Sequence, residues 1–359
     1  MSTEGMQAGP ARRAIYSAGL RVLGPVYARA GSAYLAGRER TTALAVAERL
    51  LASGSEVTLG YWPRQEESAA HVAAEECGTL EALGDLGAYE DRTALSLKAA
   101  RLGFDADAVR QLAKLAVERH TRLVFDAHSP AEADRTLELA RVARAEGAST
   151  GVALPARWAR SADDAVMASE CGLSVRVVKG QWPDDVPGRR LNSEAALRSS
   201  CLNLLDRLAG LGVRTAVATH DVVLLEQALP RLSAWGTPPE VELLLGLPVR
   251  RALTTARRAG ASTRFYVSFG HPGLPYPFRA VLRRPRLAWL LTQGVVLGDA
   301  TKRYSGTGPS GDGLPSDPRS GGIPRGRSGL LIHYFSLKKV VHGFQAGLHG
   351  QVGIVITSG

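Results

Sequence analysis

From about residue 40 to residue 294 the chain alternates short β-branched or Leu-rich runs with longer stretches of helical periodicity, eight times over. No other feature limits the possible folds so strongly. The strand-like runs are Glu56 to Tyr61, Ala94 to Lys98, Arg122 to Asp126, Gly151 to Leu154, Ser174 to Val178, Arg214 to Ala218, Glu240 to Leu244 and Thr263 to Ser268. Helical patterns lie between them, as over Asp105 to Glu118 and Pro130 to Glu146. N-cap residues are expected at Asp105, Ser129, Ser161 and Asp221, and left-handed C-terminal glycines at Gly147, Gly210 and Gly260.

Eight β/α units over roughly 250 residues match the length and period of a (β/α)8 TIM-type barrel. A doubly wound sheet needs fewer strands and carries a Gly-rich phosphate loop after its first strand. Here the first strand runs into Trp62-Pro63-Arg64-Gln65, with no such loop. The expected fold is therefore α/β: a distorted barrel over residues 40–301, preceded by a helical segment over 1–39 and followed by an irregular extension over 302–359. That extension contains a stretch, Ser305 to Leu330, in which 17 of 26 residues are Gly, Pro or Ser, a composition that buries too little apolar surface to fold.

The net charge of +10 suggests a nucleic-acid partner until it is located. Residues 1–38 contribute +4 and residues 302–359 contribute +5, which leaves +1 for the body of the chain. A basic nucleic-acid-reading face is thus not expected. No apolar run approaches the ~18–20 residues that cross a bilayer. The basic ends leave room for peripheral contact with an anionic membrane surface. Cys77, Cys171 and Cys201 form neither a CxxC pair nor an even set, so a reducing, cytoplasmic setting is expected, without disulfides or structural zinc. Residues 11–16, Arg-containing and free of acids, read as an amphipathic helix, with a transit peptide as the alternative.

Barrel enzymes carry their chemistry at the C-terminal ends of the strands. In order, those ends offer Lys98, Asp126 with His128, Arg157, Arg176 with Lys179 and Trp182, then Thr219-His220-Asp221; Glu242 and Tyr266 lie within the last two strands, and Tyr276 and Arg279 follow them. Cations and aromatics outnumber acids, which suits an anionic ligand with a flat ring better than a metal. Arg176 alternates with Val175 and Val177, so it points opposite to them and, if inward, needs an anion. Taken singly, Lys98 and Asp126 read equally as an ion pair at the barrel mouth, Trp182 as core packing and His220 as a satisfied core histidine.

The ordered segments Leu95-Ser96-Leu97-Lys98, Phe125-Asp126-Ala127, Arg176-Val177-Val178-Lys179-Gly180, Ala218-Thr219-His220, Glu240 to Gly246 and Leu274-Pro275-Tyr276 with Arg279 resemble the flavin-dependent proline dehydrogenase family over roughly residues 40–294. The resemblance implies a distorted barrel that binds FAD, oxidises proline to 1-pyrroline-5-carboxylate and passes electrons to a quinone or another acceptor. It also implies roles. Arg176 and the backbone at Val178 would meet the isoalloxazine, and Lys179, Gly180, Thr219 and His220 would belong to the FAD-binding set, with Trp182 supplying the aromatic beside the flavin. Lys98 and Asp126 would pair beside the substrate, Tyr266 and Tyr276 would wall the proline ring, and Arg279 would clamp its carboxylate.

Three departures from the family pattern bear on substrate choice. Ala280 stands where a second carboxylate-binding arginine is usual, Pro155 replaces a glutamine at the end of the fourth strand, and Gly180-Gln181-Trp182-Pro183 replaces Gly-Ala-Tyr-Trp. The alternatives are a barrel of the same type that acts on another cyclic or secondary amine or lacks turnover, and a Schiff-base lyase using Lys98 or Lys179. A metal-dependent hydrolase built from Asp126, His128, His220 and Glu242 ranks last, because Arg176, Lys98 and Lys179 would repel a cation at the same rim.

Overall fold

The computed structural model describes residues 35–271, apart from 90, 185, 187–190 and 192. The strands are β1 (Leu35–Gly37), β2 (Glu56–Trp62), β3 (Thr93–Lys98), β4 (Arg122–Asp126), β5 (Thr150–Pro155), β6 (Ser174–Val178), β7 (Thr215–Ala218), β8 (Glu240–Leu244) and β9 (Ser262–Gly270). The helices are α1 (Arg40–Ala52), α2 (Ala69–Gly84), α3 (Ala106–Glu118), α4 (Pro130–Ala145), α5 (Ser161–Glu170), α6 (Glu194–Gly210), α7 (Val222–Ala234) and α8 (Arg250–Arg258).

Strands β2 to β9 pair in parallel in sequence order, and β9 closes the sheet by pairing with both β8 and β2. All eight expected strands are present to within a residue or two. A ninth, β1, lies in the segment expected to be helical and corrects that reading locally. Its pairing explains it: β9 is nine residues long, β8 covers it only as far as Tyr266, and β1 pairs beyond at Ser268 and Phe269. Without β1 the end of β9 would leave ladder groups without a partner. Residues 1–34 and 272–359, which include most of the expected N-terminal segment, the end of the expected barrel region and the expected 302–359 extension, lie outside the described residues.

The period of two sorts each strand into two faces. Leu95, Leu97, Leu123, Phe125, Val152, Leu154, Val175, Val177, Val241, Leu243, Phe265 and Val267 face outward and bury in the shell between sheet and helices. Leu50, Leu80, Leu112, Ala140, Leu205, Leu225 and Leu229 supply the helix side of that shell. The inward set is different in kind: Ser96, Lys98, Arg176, Glu240, Glu242 and Arg264 are all buried. Branched apolar residues usually fill such a lumen. An ionic filling requires every charge to find a partner, because an unpaired ion away from water is costly.

Helix ends follow local chemistry in part; Ser129 holds the N-cap position of α4, but its side chain makes no capping bond. Asp105 accepts from the backbone of Asp107 and Ala108, and Asp221 accepts from Leu224. Ser161 is not the N-cap; it is the first helical residue, and its hydroxyl donates to the Pro155 carbonyl at 2.7 Å. Gly147 and Gly260 have the expected positive φ, whereas Gly210 is still helical and the left-handed position falls on Gly212 (φ 69°).

Candidate active site at the C-terminal rim

Lys98 ends β3 and Asp126 ends β4 in direct register. They do not form the expected ion pair. Asp126 instead accepts from the Ser96 hydroxyl at 2.6 Å and is paired by the Arg176 guanidinium. Arg176 spans the lumen, also donating to Glu242 at 2.8 Å. Burial by itself would raise the Asp126 carboxyl, but Arg176 and Lys98 outweigh it and hold the group below the ordinary carboxylate range. Burial likewise opposes the Arg176 charge, and Asp126 and Glu242 overcome it, pushing that guanidinium still further into its cationic form. The expectation that an inward Arg176 needs an anion is met twice over.

Lys98 is 2% exposed. Its ammonium donates to the Tyr266 hydroxyl at 3.3 Å and the Ser96 carbonyl at 3.4 Å, and lies 5.0 Å from the centre of the Trp62 ring. Among the described residues no carboxylate stands within 4.0 Å of it. Tyr266 in turn donates to Ser96 at 3.1 Å, so one chain runs from Lys98 through Tyr266 and Ser96 to Asp126, Arg176 and Glu242. Gly60 makes this possible, since a Cβ there would sit 2.2 Å from the Tyr266 hydroxyl. Trp62 stacks on His128 at 6.0 Å and closes the β2–β4 side, and the Arg176 guanidinium carbon lies 5.2 Å from the centre of the Tyr266 ring.

The expected cofactor-binding residues cluster at the ends of β6 and β7. Val178 pairs with Pro155 on β5 and with Ala218 on β7, and the small Ala153 is the register partner of Arg176. Gly180 has φ +86°, and a Cβ there would come within 2.8 Å of Pro155. The off-pattern proline thus packs directly on the glycine turn. Arg157 donates to the Gly180 carbonyl at 3.1 Å, and Trp158 donates to the Trp182 carbonyl at 3.0 Å, which fixes the loop through its main chain. The Trp182 ring is partly exposed.

Lys179 is committed elsewhere. It pairs with Asp221 at 2.5 Å and Glu194 at 2.8 Å, while Arg198 binds Asp221 at 2.7 and 3.1 Å. Burial opposes the Asp221 charge, but these two cations prevail and lower its carboxyl to about 2. Thr219 accepts from the Asp221 amide at 3.1 Å. His220 accepts at Nε2 from the Leu244 amide, 3.0 Å away, and its Nδ1 faces the Pro248 carbonyl at 3.4 Å. Desolvation pushes its pKa down to about 4, so the ring is neutral and tethers the β7 end to the β8 end.

Ser96, Trp62 and Gly60 are parts of this arrangement to which sequence reasoning gave no role; only the strand-end position of Trp62 signalled one of them. Tyr276 and Arg279 lie outside the described residues. Asp126, His128, His220 and Glu242 do not converge as a metal site, and among the described residues no other cluster of His, Cys, Asp or Glu does so. Among the same residues no helix is long and apolar enough to cross a membrane.

No protein-family model matches the chain, and no curated protein does. Solved structures do. The fold matches proline utilization A (PutA) from Bdellovibrio bacteriovorus inactivated by N-propargylglycine, at a TM-score of 0.60 and 16% identity, over 80% of this chain and 36% of that one. PutA from Corynebacterium freiburgense matches at 0.52 and 15% identity, over 80% and 34%. A bifunctional PutA matches at 0.53 and 18%, over 70% and 29%. The likeness is one of fold, a closed parallel α/β barrel. The chain spans about a third of the length of these proteins.

Proposed function

We propose that the chain is a flavoprotein that oxidises L-proline to 1-pyrroline-5-carboxylate, with FAD as hydride acceptor and a quinone-type compound as the final electron acceptor. The observation that carries this reading is Lys98, a buried ammonium with no carboxylate within ion-pair distance among the described residues, set against Tyr266 and Trp62 at the active-site rim. A substrate carboxylate would supply the missing charge, and the two aromatic rings would flank an apolar ring. Arg279, beyond the described residues, is proposed as the second contact to that carboxylate.

The residues present fit the flat end of FAD. Pro155, Val178 and Ala218 form a low floor on three adjacent strands, and the Arg176 Nε is a buried donor without a partner beside them. Arg176, the Val178 backbone, Gly180, Thr219, His220 and Trp182 would hold the cofactor. Lys179 would reach its anionic portion only by sharing its charge with Asp221 and Glu194. When bound, FAD supplies a hydride acceptor for the carbon next to the amine nitrogen. The chain's own work is to place that carbon, to keep water out and to balance charge near the ring through Arg176. Nucleic acid has no part in this proposal; the basic ends suit peripheral contact with a membrane that holds the quinone.

The test is spectroscopic. Purified protein, alone or after incubation with FAD, should show flavin bands that bleach on adding proline under anaerobic conditions. Protein that takes up no FAD overturns the proposal. Bands that persist with proline and bleach with another secondary amine would favour the alternative substrate. Trapping a carbonyl compound on Lys98 with borohydride would favour the lyase; the Lys179 amine is already engaged by Asp221 and Glu194.

A further inference from the structure

Helix α8 carries its charge on one side only. Arg250, Arg251, Arg257 and Arg258 are all exposed, while Ala252 and Ala256 bury the opposite face on the barrel. Arg250 and Arg257 are seven residues apart, as are Arg251 and Arg258, which is close to two full turns. The four arginines therefore stand in two rows about 10 Å long, one on either side of the exposed Thr254. None of them is paired with a carboxylate among the described residues. Nor does the sequence offer an acid nearby, since none occurs between Glu242 and Asp299. On the adjoining α7, Arg231 is paired with Asp206 of α6 at 2.6 Å, and Glu226 is the only acid within the helix. A surplus of positive charge is left on this side of the barrel.

The outer face of α7, beside those rows, is apolar. Leu224, Leu225, Ala228, Leu229 and Leu232 face the barrel. Val223, Gln227, Pro230 and Ala234 recur at helical spacing on the opposite side, all exposed, and Trp235 follows at the C-cap. Val223 is 45% exposed and Trp235 57%. Nucleic acid would match the arginines through its phosphates but leave the apolar strip in water. The headgroup region of a bilayer offers both, anionic phosphate for arginine and an apolar boundary for tryptophan and valine.

We propose that the outer faces of α7 and α8 form a docking surface for an anionic lipid bilayer, with the α8 arginines on the lipid phosphates and Val223 and Trp235 at the headgroup boundary. This surface belongs to the barrel itself, so it is independent of the chain's basic ends and of the flavin reading. Each arginine near a negatively charged leaflet favours binding by about fivefold, and salt screens the attraction.

The test is co-sedimentation of the full chain with vesicles of phosphatidylglycerol and phosphatidylcholine, against vesicles of phosphatidylcholine alone. Wild type should partition onto the anionic vesicles, and added salt should release it. Arg250→Gln, Arg251→Gln, Arg257→Gln and Arg258→Gln together should weaken that partition by roughly a hundredfold or more, although the basic ends are unchanged. Lysine at the same four positions should keep it, because a leaflet attracts charge rather than the shape of a guanidinium. The tryptophan emission of wild type should shift to the blue on binding, and Trp235→Phe should lose most of that shift. Equal binding by wild type and the glutamine variant overturns the proposal, as does equal binding to both kinds of vesicle or an undiminished shift in Trp235→Phe. Binding to duplex DNA without binding to the anionic vesicles also overturns it. If the fourfold variant does not fold, Arg257→Gln with Arg258→Gln should still weaken partition by roughly 30-fold. An unchanged partition in that pair overturns the proposal.

Discussion

Lys98 owes its character to burial beside aromatic rings with no acid at ion-pair distance among the described residues. Replacing it with methionine keeps the volume and removes the charge, so KM for proline should rise by about 30-fold or more, corresponding to roughly 2 kcal/mol, with flavin occupancy unchanged in the visible spectrum. Unaltered KM would remove Lys98 from the substrate site. Glu76 shows the opposite situation. It is 1% exposed on α2, and its Oε2 lacks a hydrogen-bond partner. Burial raises its pKa to about 8 despite the opposing influence of Lys98. A raised folded pKa means the group contributes fully below its ordinary value of 4.5 and loses that contribution as pH rises toward 8. Glu76→Gln should therefore match wild type near pH 4 and become the more stable protein by roughly 1–3 kcal/mol at pH 8, read from urea unfolding.

At the scale of elements, the ends of β4, β6 and β8 are tied together by Arg176. Arg176→Ala would strand the Asp126 and Glu242 carboxylates in the lumen, at a cost of about 3–5 kcal/mol. Arg176→Ala should therefore lower both the urea midpoint and flavin uptake, whereas Lys98→Met should spare both. The turn after β6 depends on Gly180 for two separate reasons, its φ of +86° and the 2.8 Å approach to Pro155. Gly180→Ala should disturb this loop locally, with weaker FAD retention on gel filtration and near-native far-UV circular dichroism.

For the whole molecule, acid is the vulnerable direction. His220, with its pKa depressed to about 4, contributes stability above 6.5 that is lost as pH falls through about 4. Asp126 and Glu240, held below their ordinary values by buried cations, and Asp221, at about 2, extend that loss to lower pH. The urea midpoint should fall steadily from pH 6.5 to pH 3, and adding His220→Asn should flatten the upper part of that slope. Eight β/α units with apolar residues at alternate strand positions were legible from residue types alone. Period and length are local properties that burial enforces, and the strand boundaries followed within a residue or two. That Arg176 faces opposite to Val175 and Val177 was legible for the same reason, because neighbours on a strand must point to opposite faces.

Partnership was not legible. Whether Asp126 would meet Lys98, its register neighbour, or Arg176, two strands away, depends on how far each side chain reaches across the lumen. Only barrel closure sets that distance. The same closure placed Glu240 within reach of Arg264, engaged Lys179 with Asp221 and Glu194, and left Lys98 with no carboxylate at ion-pair distance among the described residues. The sequence by itself determined the elements, their order and the face each residue takes. The tertiary structure decided which charges neutralise one another, because pairing energy depends on distances between residues far apart in the chain.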